Sequence, residues 1–364
     1  MGCVLSKSST HEWEPNEGNL NQKSSCGLTS YWNLLKSDFE NKYFNENKAS
    51  IANHTDFRMY QLLGEGAYGL VALTTHTRTG EVYATKIMAK KKIIKKELVQ
   101  RTFNEKRILE SIDFAFVVRL TYFYQDNTYL YFVMPFVCGG DLFTYIQRKG
   151  RLDEDKARFY GSEVLLAIEY LHRLNLVHRD VKPENILIDS YGHAQLADFG
   201  FCKYVQGRTY TLCGTPEYIA PEMLVRKGYG RTVDYWAFGV LIYEMVAGYS
   251  PFVERDEEIM YRRISTGKYT CPFGFTSDLM DILRHVLVVD VTKRYGNLVN
   301  GVRDIKKHRW FESIDWCATF NKQTQPPFVP VLLNSMDSSN FNKFKEKIFV
   351  ASSKDQYNDE FKHF

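Results

Sequence analysis

Apolar residues recur at helical spacing in two segments of the 364-residue chain. In the first, from about residue 29 to 44, an apolar residue returns every three or four positions, at Trp32, Leu35, Phe39 and Tyr43. The second spans residues 153–174 and has six such positions, at Ala157, Tyr160, Val164, Leu165, Ile168 and Leu171. The spacing predicts an amphipathic helix that packs on a larger domain, and then a buried core helix. Whether the first helix regulates or only covers a surface stays open.

Between residues 58 and 137 the pattern is different. Short runs rich in β-branched and aromatic residues occupy positions 70–75, 81–87 and 129–137, and such runs are typical of strands. Thr79-Gly80 between the first two runs predicts a turn. The sequence therefore predicts a β-rich region followed by a mainly helical one.

Composition narrows the class of protein. The 47 Lys and Arg exceed the 43 Asp and Glu by only four charges, whereas nucleic-acid binding usually needs a concentrated basic face, so we expect no nucleic-acid partner. The seven cysteines are scattered without a CxxC pair, which is typical of reduced thiols in the cytoplasm. No signal peptide and no apolar run near 18 residues is present, so we expect no membrane span.

A glycine-rich segment lies at the start of the β-rich region. Gly64, Gly66 and Gly69 form a GxGxxG pattern, which alone also fits a dinucleotide-binding fold. Here a strand pattern follows the glycines, instead of a helix and a ribose-binding acid, so the dinucleotide interpretation fails. A glycine hairpin can instead lie over phosphates with its backbone N–H groups facing them.

Three further motifs follow one another between residues 177 and 222. His178-Arg179-Asp180 with Asn185 supplies a carboxylate that can accept a hydroxyl proton and an amide that can hold Mg²⁺. Asp198-Phe199-Gly200 supplies a second metal carboxylate, and Ala220-Pro221-Glu222 closes a threonine-rich segment. In this order the motifs resemble those of the protein kinases.

The resemblance covers about residues 58–312. It implies an α+β, two-lobed protein kinase fold with a small β-rich N-lobe at 58–137 and a large helical C-lobe at 138–312. Residues 1–57 then form an N-terminal extension with a helix, and residues 313–364 form a C-terminal tail that wraps over both lobes.

For the chemistry, the resemblance implies transfer of the ATP γ-phosphoryl group to a protein hydroxyl. Asp180 would orient and deprotonate the hydroxyl, Lys182 would neutralise the moving phosphoryl group, and Thr215 would bridge the two. Lys86 would hold the α- and β-phosphates and pair with Glu105. Asn185 and Asp198 would hold two Mg²⁺ ions, with Mn²⁺ as a substitute. The residues expected around ATP are Gly64, Gly66, Gly69, Val71, Ala84, Lys86, Met134, Pro135, Val137, Asp141, Glu184, Leu187 and Phe341.

Two further segments make the resemblance closer. Residues 208–215 around Thr211 and the terminal Phe361-Lys362-His363-Phe364 are similar to the catalytic subunits of cyclic-AMP-dependent protein kinases, which are AGC kinases. This implies phosphorylation of Thr211, by an upstream kinase or by the chain itself, and pairing of that phosphate with Arg179, Lys203 and Arg101. Ser352 is a second candidate phosphosite, and Phe361 and Phe364 would fill a small-lobe pocket beside the Glu105 helix.

The same resemblance implies basic substrates. Glu184 and Glu244, assisted by Asp141, would bind arginine before the target serine or threonine, and Leu212, Pro216 and Ile219 would accept the residue after it. Asp141 also fits a plain helix N-cap. Expected partners are a cyclic-AMP-binding regulatory subunit and a heat-stable-type inhibitor peptide.

Four features depart from the family pattern. Pro135 replaces an acid in the hinge, and Phe344 with Lys345 replaces the tyrosine and acid that help to bind a second arginine. Tyr210 and Val253 replace residues that dock regulatory and inhibitor proteins.

At the N-terminus, Met1-Gly2-Cys3-Val4-Leu5-Ser6 matches the pattern for myristoylation of Gly2, with Cys3 as a palmitoylation candidate or an unmodified thiol. We therefore expect a cytoplasmic serine/threonine kinase with reversible membrane attachment and nuclear entry. The alternative is a weakly active or inactive kinase-fold scaffold that acts as a decoy for regulatory subunits. Lys86, Asp180 and Asp198 are all present, which favours the enzyme.

Overall fold

The computed structural model describes residues 25–45, 52–66, 69–342, 344, 352, 354 and 357–364. Gly2, Cys3 and Lys345, which carry predictions above, lie outside the described residues. In the described part of the chain, no helix is both long and apolar enough to cross a bilayer.

The small lobe is a five-stranded antiparallel sheet. Its strands are β1 (Phe57–Glu65), β2 (Leu70–His76), β3 (Val82–Ala89), β4 (Tyr122–Gln125) and β5 (Tyr129–Pro135), in the order β1-β2-β3-β5-β4. Along β3, Tyr83, Thr85 and Ile87 are buried on one face, because side chains alternate across a strand. Lys86 on the opposite face sits between Val71 and Phe132 in the middle of the sheet.

Two helices, α2 (Lys90–Lys95) and α3 (Val99–Ser111), follow β3. The predicted N-terminal helix is confirmed as α1, which spans Ser25–Phe44 and so begins four residues earlier than expected. Trp32, Phe39 and Tyr43 are buried, and Leu35 is half-buried. The Arg107 guanidinium of α3 lies 4.4 Å from the centre of the Tyr43 ring, and its Nε donates to the Tyr43 carbonyl at 2.6 Å. Helix α1 is therefore fastened to the helix that carries Glu105.

The large lobe is mainly helical. Its helices are α4 (Leu142–Lys149), α5 (Glu154–Arg173), α6 (Pro221–Leu224), α7 (Thr232–Ala247), α8 (Glu257–Thr266), α9 (Ser277–Val286) and α10 (Val302–Lys306). The core helix predicted at 153–174 is α5, and Asp153 caps it by accepting a hydrogen bond from the Lys156 N–H at 2.9 Å. Nearly every residue of α7 is buried, so the lobe is built around α5 and α7.

Two short strand pairs carry the motif residues at the top of this lobe. Strand β6 (Leu176–Val177) pairs with β9 (Lys203–Tyr204), and β7 (Ile186–Ile188) pairs with β8 (Ala194–Leu196). The loops that leave these strands hold Asp180, Asn185 and Asp198, so the pairs fix the three motif residues near one another.

After α11 (Trp316–Phe320), Phe328 stacks on Tyr145 of the large lobe, and α12 (Asn358–Phe361) lies against the small lobe. Phe361 is fully buried and stacks on Phe103 of α3, and Phe364 packs against Phe103, Phe123 and Phe132. The prediction that these two phenylalanines fill a small-lobe pocket beside the Glu105 helix is confirmed.

Candidate active site

A cleft of about 670 Å³ separates the two lobes, which is an ordinary size for a small-molecule site. All thirteen residues expected around ATP line it, from Gly64 in β1 to Phe341 in the tail. Asp180, Lys182, Asn185, Asp198, Glu105 and Thr215 line it as well. The structure therefore gathers the predicted nucleotide, metal and catalytic residues in one place.

The roof of the cleft is the turn between β1 and β2. The Gly66 N–H donates to the Gly69 carbonyl at 2.9 Å, which narrows the hairpin. A Cβ at Gly69 would lie 2.3 Å from the Ile87 carbonyl oxygen, so only glycine fits there without moving β3. This close approach holds the turn over the cleft.

Lys86 reaches across the rear of the cleft. Its Nζ lies 2.6 Å from Glu105 Oε1 on α3 and 3.1 Å from Asp198 Oδ1 in the large lobe. Burial alone would lower the pKa of Lys86, but the two carboxylates outweigh it and raise the pKa. The lysine therefore stays charged and links β3, α3 and the large lobe.

Asp180 lies at the centre of a hydrogen-bonded network. Its Oδ1 accepts from the Thr215 N–H at 3.0 Å and from Thr215 Oγ1 at 2.8 Å, and its Oδ2 accepts from Asn185 Nδ2 at 3.0 Å. Lys182 Nζ donates to Thr215 Oγ1 at 2.7 Å and lies 3.2 Å from Asp180 Oδ2. Thr215 thus joins Asp180 to Lys182, as the sequence predicted.

Asp234 supports this network from below. Its two carboxylate oxygens accept from the backbone N–H groups of His178 at 2.9 Å and Arg179 at 2.8 Å. Arg179 has a left-handed backbone with φ of 69°, a conformation that costs energy unless its surroundings hold it. The buried Asp234 carboxylate supplies that restraint and orients the loop that carries Asp180.

Asn185 and Asp198 form a suitable donor set for Mg²⁺. Both Asn185 hydrogen bonds from Nδ2 go to Asp180, which leaves its amide oxygen as a ligand atom. The Asp198 side chain is 43% exposed to the cleft. Burial pushes the pKa of Asp198 upward, but the Lys86 charge outweighs burial and lowers it to about 2. Carboxylate and amide oxygens are the ligands that Mg²⁺ prefers.

Of the two predicted arginine-binding acids, Glu244 is buried, whereas Glu184 is exposed at the cleft. Glu244 accepts a 2.5 Å hydrogen bond from the Tyr218 hydroxyl. Burial, together with the carboxylates of Glu184 and Glu217, raises the pKa of Glu244 to about 7 despite that bond. Burial also raises the pKa of Glu184. Both acids therefore gain from a cation that arrives with a substrate.

Other predicted substrate residues have different surroundings. Asp141 caps α4, accepting from the Thr144 N–H at 2.6 Å and from Thr144 Oγ1 at 3.0 Å, so its N-cap interpretation is confirmed. Leu212 is 42% exposed and Pro216 lies at the cleft, but Ile219 is only 5% exposed. Ile219 is therefore mostly covered by this chain.

The three cations expected to bind a phosphate on Thr211 all have other partners in this structure. Thr211 is exposed, and its carbonyl accepts from the Tyr229 hydroxyl at 2.5 Å. Arg179 Nε donates to the Phe201 carbonyl at 2.7 Å, Lys203 Nζ donates to Thr209 Oγ1 at 3.1 Å, and the Arg101 guanidinium stacks 3.7 Å from the centre of the Phe201 ring. These cations would have to exchange partners to bind a phosphate on Thr211.

The tail completes the cleft. The Phe341 ring centre lies 5.6 Å from that of Phe136, and Asn340 Nδ2 donates to the Cys138 carbonyl at 3.2 Å. Ser352 is exposed, and its backbone N–H donates to Thr128 Oγ1 at 2.7 Å. The tail therefore touches the hinge and the small lobe at separate points.

Sequence reasoning missed several residues here. Tyr218, whose hydroxyl donates to Glu244, was not predicted, although it lies between Thr215 and the Ala220-Pro221-Glu222 motif. Asn340 was also missed, and so were the cleft-lining apolar residues Leu63, Leu109, Val118, Ala197 and Phe201. Apolar lining residues carry no motif, whereas the position of Tyr218 next to a motif was an available signal.

Comparison with known proteins agrees with this geometry. Residues 57–311 match the family model described as protein kinase domain. The chain is 42% identical over 291 residues to the human cAMP-dependent protein kinase catalytic subunit PRKX, covering 80% of this chain and 81% of that protein. It is 40% identical over 315 residues to cAMP-dependent protein kinase catalytic subunit 2 of Drosophila melanogaster, covering 86% of this chain and 89% of that protein.

A cAMP-dependent protein kinase catalytic subunit of Dictyostelium discoideum is 42% identical over 295 residues, or 81% of this chain. This chain spans 46% of that longer protein. Protein kinases use ATP and a divalent metal ion, and the oxygen ligands and cleft described above fit both. The chain belongs to the protein kinase family, among relatives that are catalytic subunits of cAMP-dependent protein kinases, and is a serine/threonine protein kinase.

Proposed function

We propose that the chain phosphorylates serine or threonine in arginine-containing protein sequences, using ATP and two Mg²⁺ ions. The observation that carries this proposal is the grouping of three carboxylates, in which Glu184 lines the cleft and both Glu184 and Glu217 lie close enough to Glu244 to act on its charge. Burial, reinforced by the neighbouring carboxylates, raises the Glu244 pKa to about 7. A guanidinium would relieve this repulsion through charge-assisted hydrogen bonds.

The residues of the chain divide the work of transfer. Asp180 accepts the proton of the attacking hydroxyl and orients it, and Lys182 places positive charge at the moving phosphoryl group. Lys86 fixes the non-transferred phosphates, and the Gly64–Gly69 turn excludes water above them. Asn185 and Asp198 would hold the Mg²⁺ ions, which would supply neutralising charge on the phosphates. Because the transition state is loose, positioning and charge carry most of the acceleration.

Phosphorylation of Thr211 would order the segment between Asp198 and Glu222. A phosphate brings nearly two negative charges and three acceptor oxygens, enough to draw Arg179 and Lys203 from their present neutral partners. An upstream kinase or the chain itself would add this phosphate. Ser352 is a second, independent phosphosite in this proposal.

Control by a cyclic-AMP-binding regulatory subunit or by a heat-stable-type inhibitor peptide belongs to the same proposal. What supports it is the similarity to cAMP-dependent catalytic subunits, together with the exposure of Tyr210 at 63% and Val253 at 46%. Both side chains are open to a partner protein. Acylation at Gly2 and Cys3 would add reversible membrane attachment to a cytoplasmic enzyme that also enters the nucleus.

The test is transfer of ³²P from ATP to peptides that carry arginine at none, one or both of the two positions before serine. Wild type is compared with Asp180→Asn and with the exposed control Asp155→Asn. We expect transfer to rise with each arginine, and to need Asp180 but not Asp155. Equal rates on all peptides would refute the basic-substrate proposal, and transfer that is independent of Asp180 would refute its catalytic role. Binding of a regulatory subunit without any transfer would instead support the decoy alternative.

A further inference from the structure

Three metal-ligating side chains converge on the large lobe, outside the nucleotide cleft. Asp281 and His285 are on α9, and His308 directly precedes the 3₁₀ turn Arg309–Phe311. Residues four apart in a helix share one face, so Asp281 and His285 point the same way. His308 arrives from a separate segment of the chain.

The three side chains are close enough to share one ion. His308 Nε2 lies 2.9 Å from Asp281 Oδ2, and His285 Nδ1 lies 3.7 Å from Asp281 Oδ1. One ligand atom from each residue can be chosen so that all lie within 4.8 Å of one another. Around tetrahedral Zn²⁺ with bonds of about 2.1 Å, ligand atoms lie roughly 3.4 Å apart. Small side-chain rotations close the difference.

The surroundings favour a cation. The Tyr295 ring stacks on His285 with centres 4.4 Å apart and holds that imidazole in place. The carboxylates of Asp304 and Asp281 both lie near the Tyr295 ring, so negative charge gathers on this side of the lobe. Within the described residues, Asp304 Oδ2 is a buried oxygen without a hydrogen-bond partner. Arg284 is the opposing charge, and it acts on Asp281 from the same helix.

Access and an open coordination position are also present. The side chains of Asp281 and His285 are 50% and 38% exposed, whereas His308 is 7% exposed. An ion can therefore enter from solvent and keep a water as its fourth ligand, with His308 as the buried anchor.

We propose that Asp281, His285 and His308 form a binding site for a single Zn²⁺ ion that ties α9 to the segment before Arg309. Two histidines and one carboxylate are ligands that suit Zn²⁺ better than Mg²⁺. The site is separate from the metal ligands of the cleft.

Two existing hydrogen bonds must change when the ion binds. His285 Nδ1 donates to the Asp281 carbonyl at 2.8 Å, but helical geometry supplies that carbonyl with a second donor. His308 Nδ1 accepts from the Trp310 N–H at 3.2 Å, so in the metal-free pair Nε2 carries the proton given to Asp281. When Zn²⁺ binds Nε2, that proton moves to Nδ1, so the imidazole stays neutral and the long bond from the Trp310 N–H is lost.

The test uses the full chain without an affinity tag, freed of trace metal and saturated with Mg²⁺ and a non-hydrolysable ATP analogue. This treatment fills the ligands of the cleft. Zn²⁺ is titrated by calorimetry, and Co²⁺ is added to a second sample to record its visible absorption. We expect one Zn²⁺ per chain, and a Co²⁺ spectrum of four-coordinate type. At a free Zn²⁺ concentration 100-fold above Kd, we expect Tm to rise by about 3–4 °C.

Two ligand variants and one control decide the outcome. His285→Asn and Asp281→Asn should each weaken Zn²⁺ binding by more than about tenfold, since even supporting residues have effects of that size at metal sites. His54→Asn, an exposed histidine elsewhere, should bind as wild type does. Unchanged kinase activity of His285→Asn verifies its fold. Equal Zn²⁺ affinity in His285→Asn and wild type, or no binding to the Mg²⁺-saturated chain, would overturn the proposal and leave a hydrogen-bonded cluster only.

Discussion

Two ion pairs in this kinase share the same shortest distance and differ in almost everything around them. Lys86 and Glu105 approach to 2.6 Å, and so do Arg294 and Glu222. Arg294 is fully buried, and its remaining donors bond to the carbonyls of Val288 at 2.9 Å and Thr232 at 3.1 Å. Lys86 instead borders the open cleft, and its second partner, Asp198, is half exposed.

The difference separates a structural pair from a functional one. All three nitrogens of the buried Arg294 guanidinium donate to fixed acceptors. The pair therefore joins the Ala220–Glu222 motif to the segment before Tyr295. Lys86 is held by two carboxylates from different parts of the molecule and faces a space that a nucleotide can fill. A short distance alone therefore says little about the role of a pair.

The largest effect is expected for Arg294→Met, on stability. Removal of one partner leaves the Glu222 carboxylate unpaired in a closed site, and such losses amount to about 3–5 kcal/mol. The free energy of unfolding from urea titration measures the loss. Arg294→Lys keeps the charge without the two-pronged contact and should lie between Met and wild type; a wild-type value for Arg294→Met would remove the distinction drawn above.

Lys86→Met should show the opposite profile. Loss of one preorganised charge at a reacting centre lowers kcat by about 10²–10³-fold. The loss of stability should stay below that of Arg294→Met, because water in the cleft solvates the Asp198 carboxylate, which is 43% exposed; the loss that remains comes from Glu105, which is 7% exposed. Steady-state kinetics and urea titration on the same preparation give both numbers, with Lys293→Met, at a side chain that is 77% exposed, as the matched control. A stability loss as large as that of Arg294→Met would make both pairs structural.

Glu244 extends the comparison to a buried carboxylate whose cation comes with the substrate. Glu244→Gln keeps the contact with Tyr218 but removes the charge, so kcat/KM for an arginine peptide should fall about 10–100-fold, the worth of a charged hydrogen bond. The arginine-free peptide should react as with wild type. An equal fall for both peptides would mean that Glu244 positions the fold rather than the substrate.

The smallest effect is a pH dependence of peptide binding. The raised pKa of Glu244, about 7, means that the carboxyl gains its proton as pH falls from 8 to 6. KM for the arginine peptide should therefore rise about tenfold over this range, while KM for ATP changes less. A KM profile that stays unchanged in Glu244→Gln would assign the titration to another group.

The raised pKa of Glu244 also affects stability. Because ionisation of Glu244 opposes folding, its destabilising contribution to the free energy of unfolding grows as pH rises from about 4.5 to 7.

The sequence predicted the catalytic network because its chemistry requires particular residue types within short motifs. Asp180, Lys182, Asn185 and Asp198 each belong to such a motif, and the contact with Thr215 followed from the same motifs. The seat of Phe361 was also predictable, since a terminal aromatic pair needs an apolar pocket.

Other features depend on contacts between segments that no motif links. The partners that now hold Arg179 and Lys203 are a carbonyl and a hydroxyl, which spacing along the chain cannot indicate. Burial of Ile219, and the raised pKa of Glu244, follow from packing of the Pro216–Ile219 turn on α7. His308 lies 27 positions from Asp281, a separation that matches no metal-binding pattern.

The contacts of the C-terminal tail determine how far this enzyme can be shortened. The family model ends at residue 311, yet Phe341 borders the cleft and Phe361 has no exposed surface. The region that matches the protein kinase family is therefore shorter than the structure that forms the nucleotide site, which includes the C-terminal tail. A product shortened to residues 57–311 by splicing or proteolysis would retain every catalytic side chain, and would still have an incomplete adenine site and an uncovered α3.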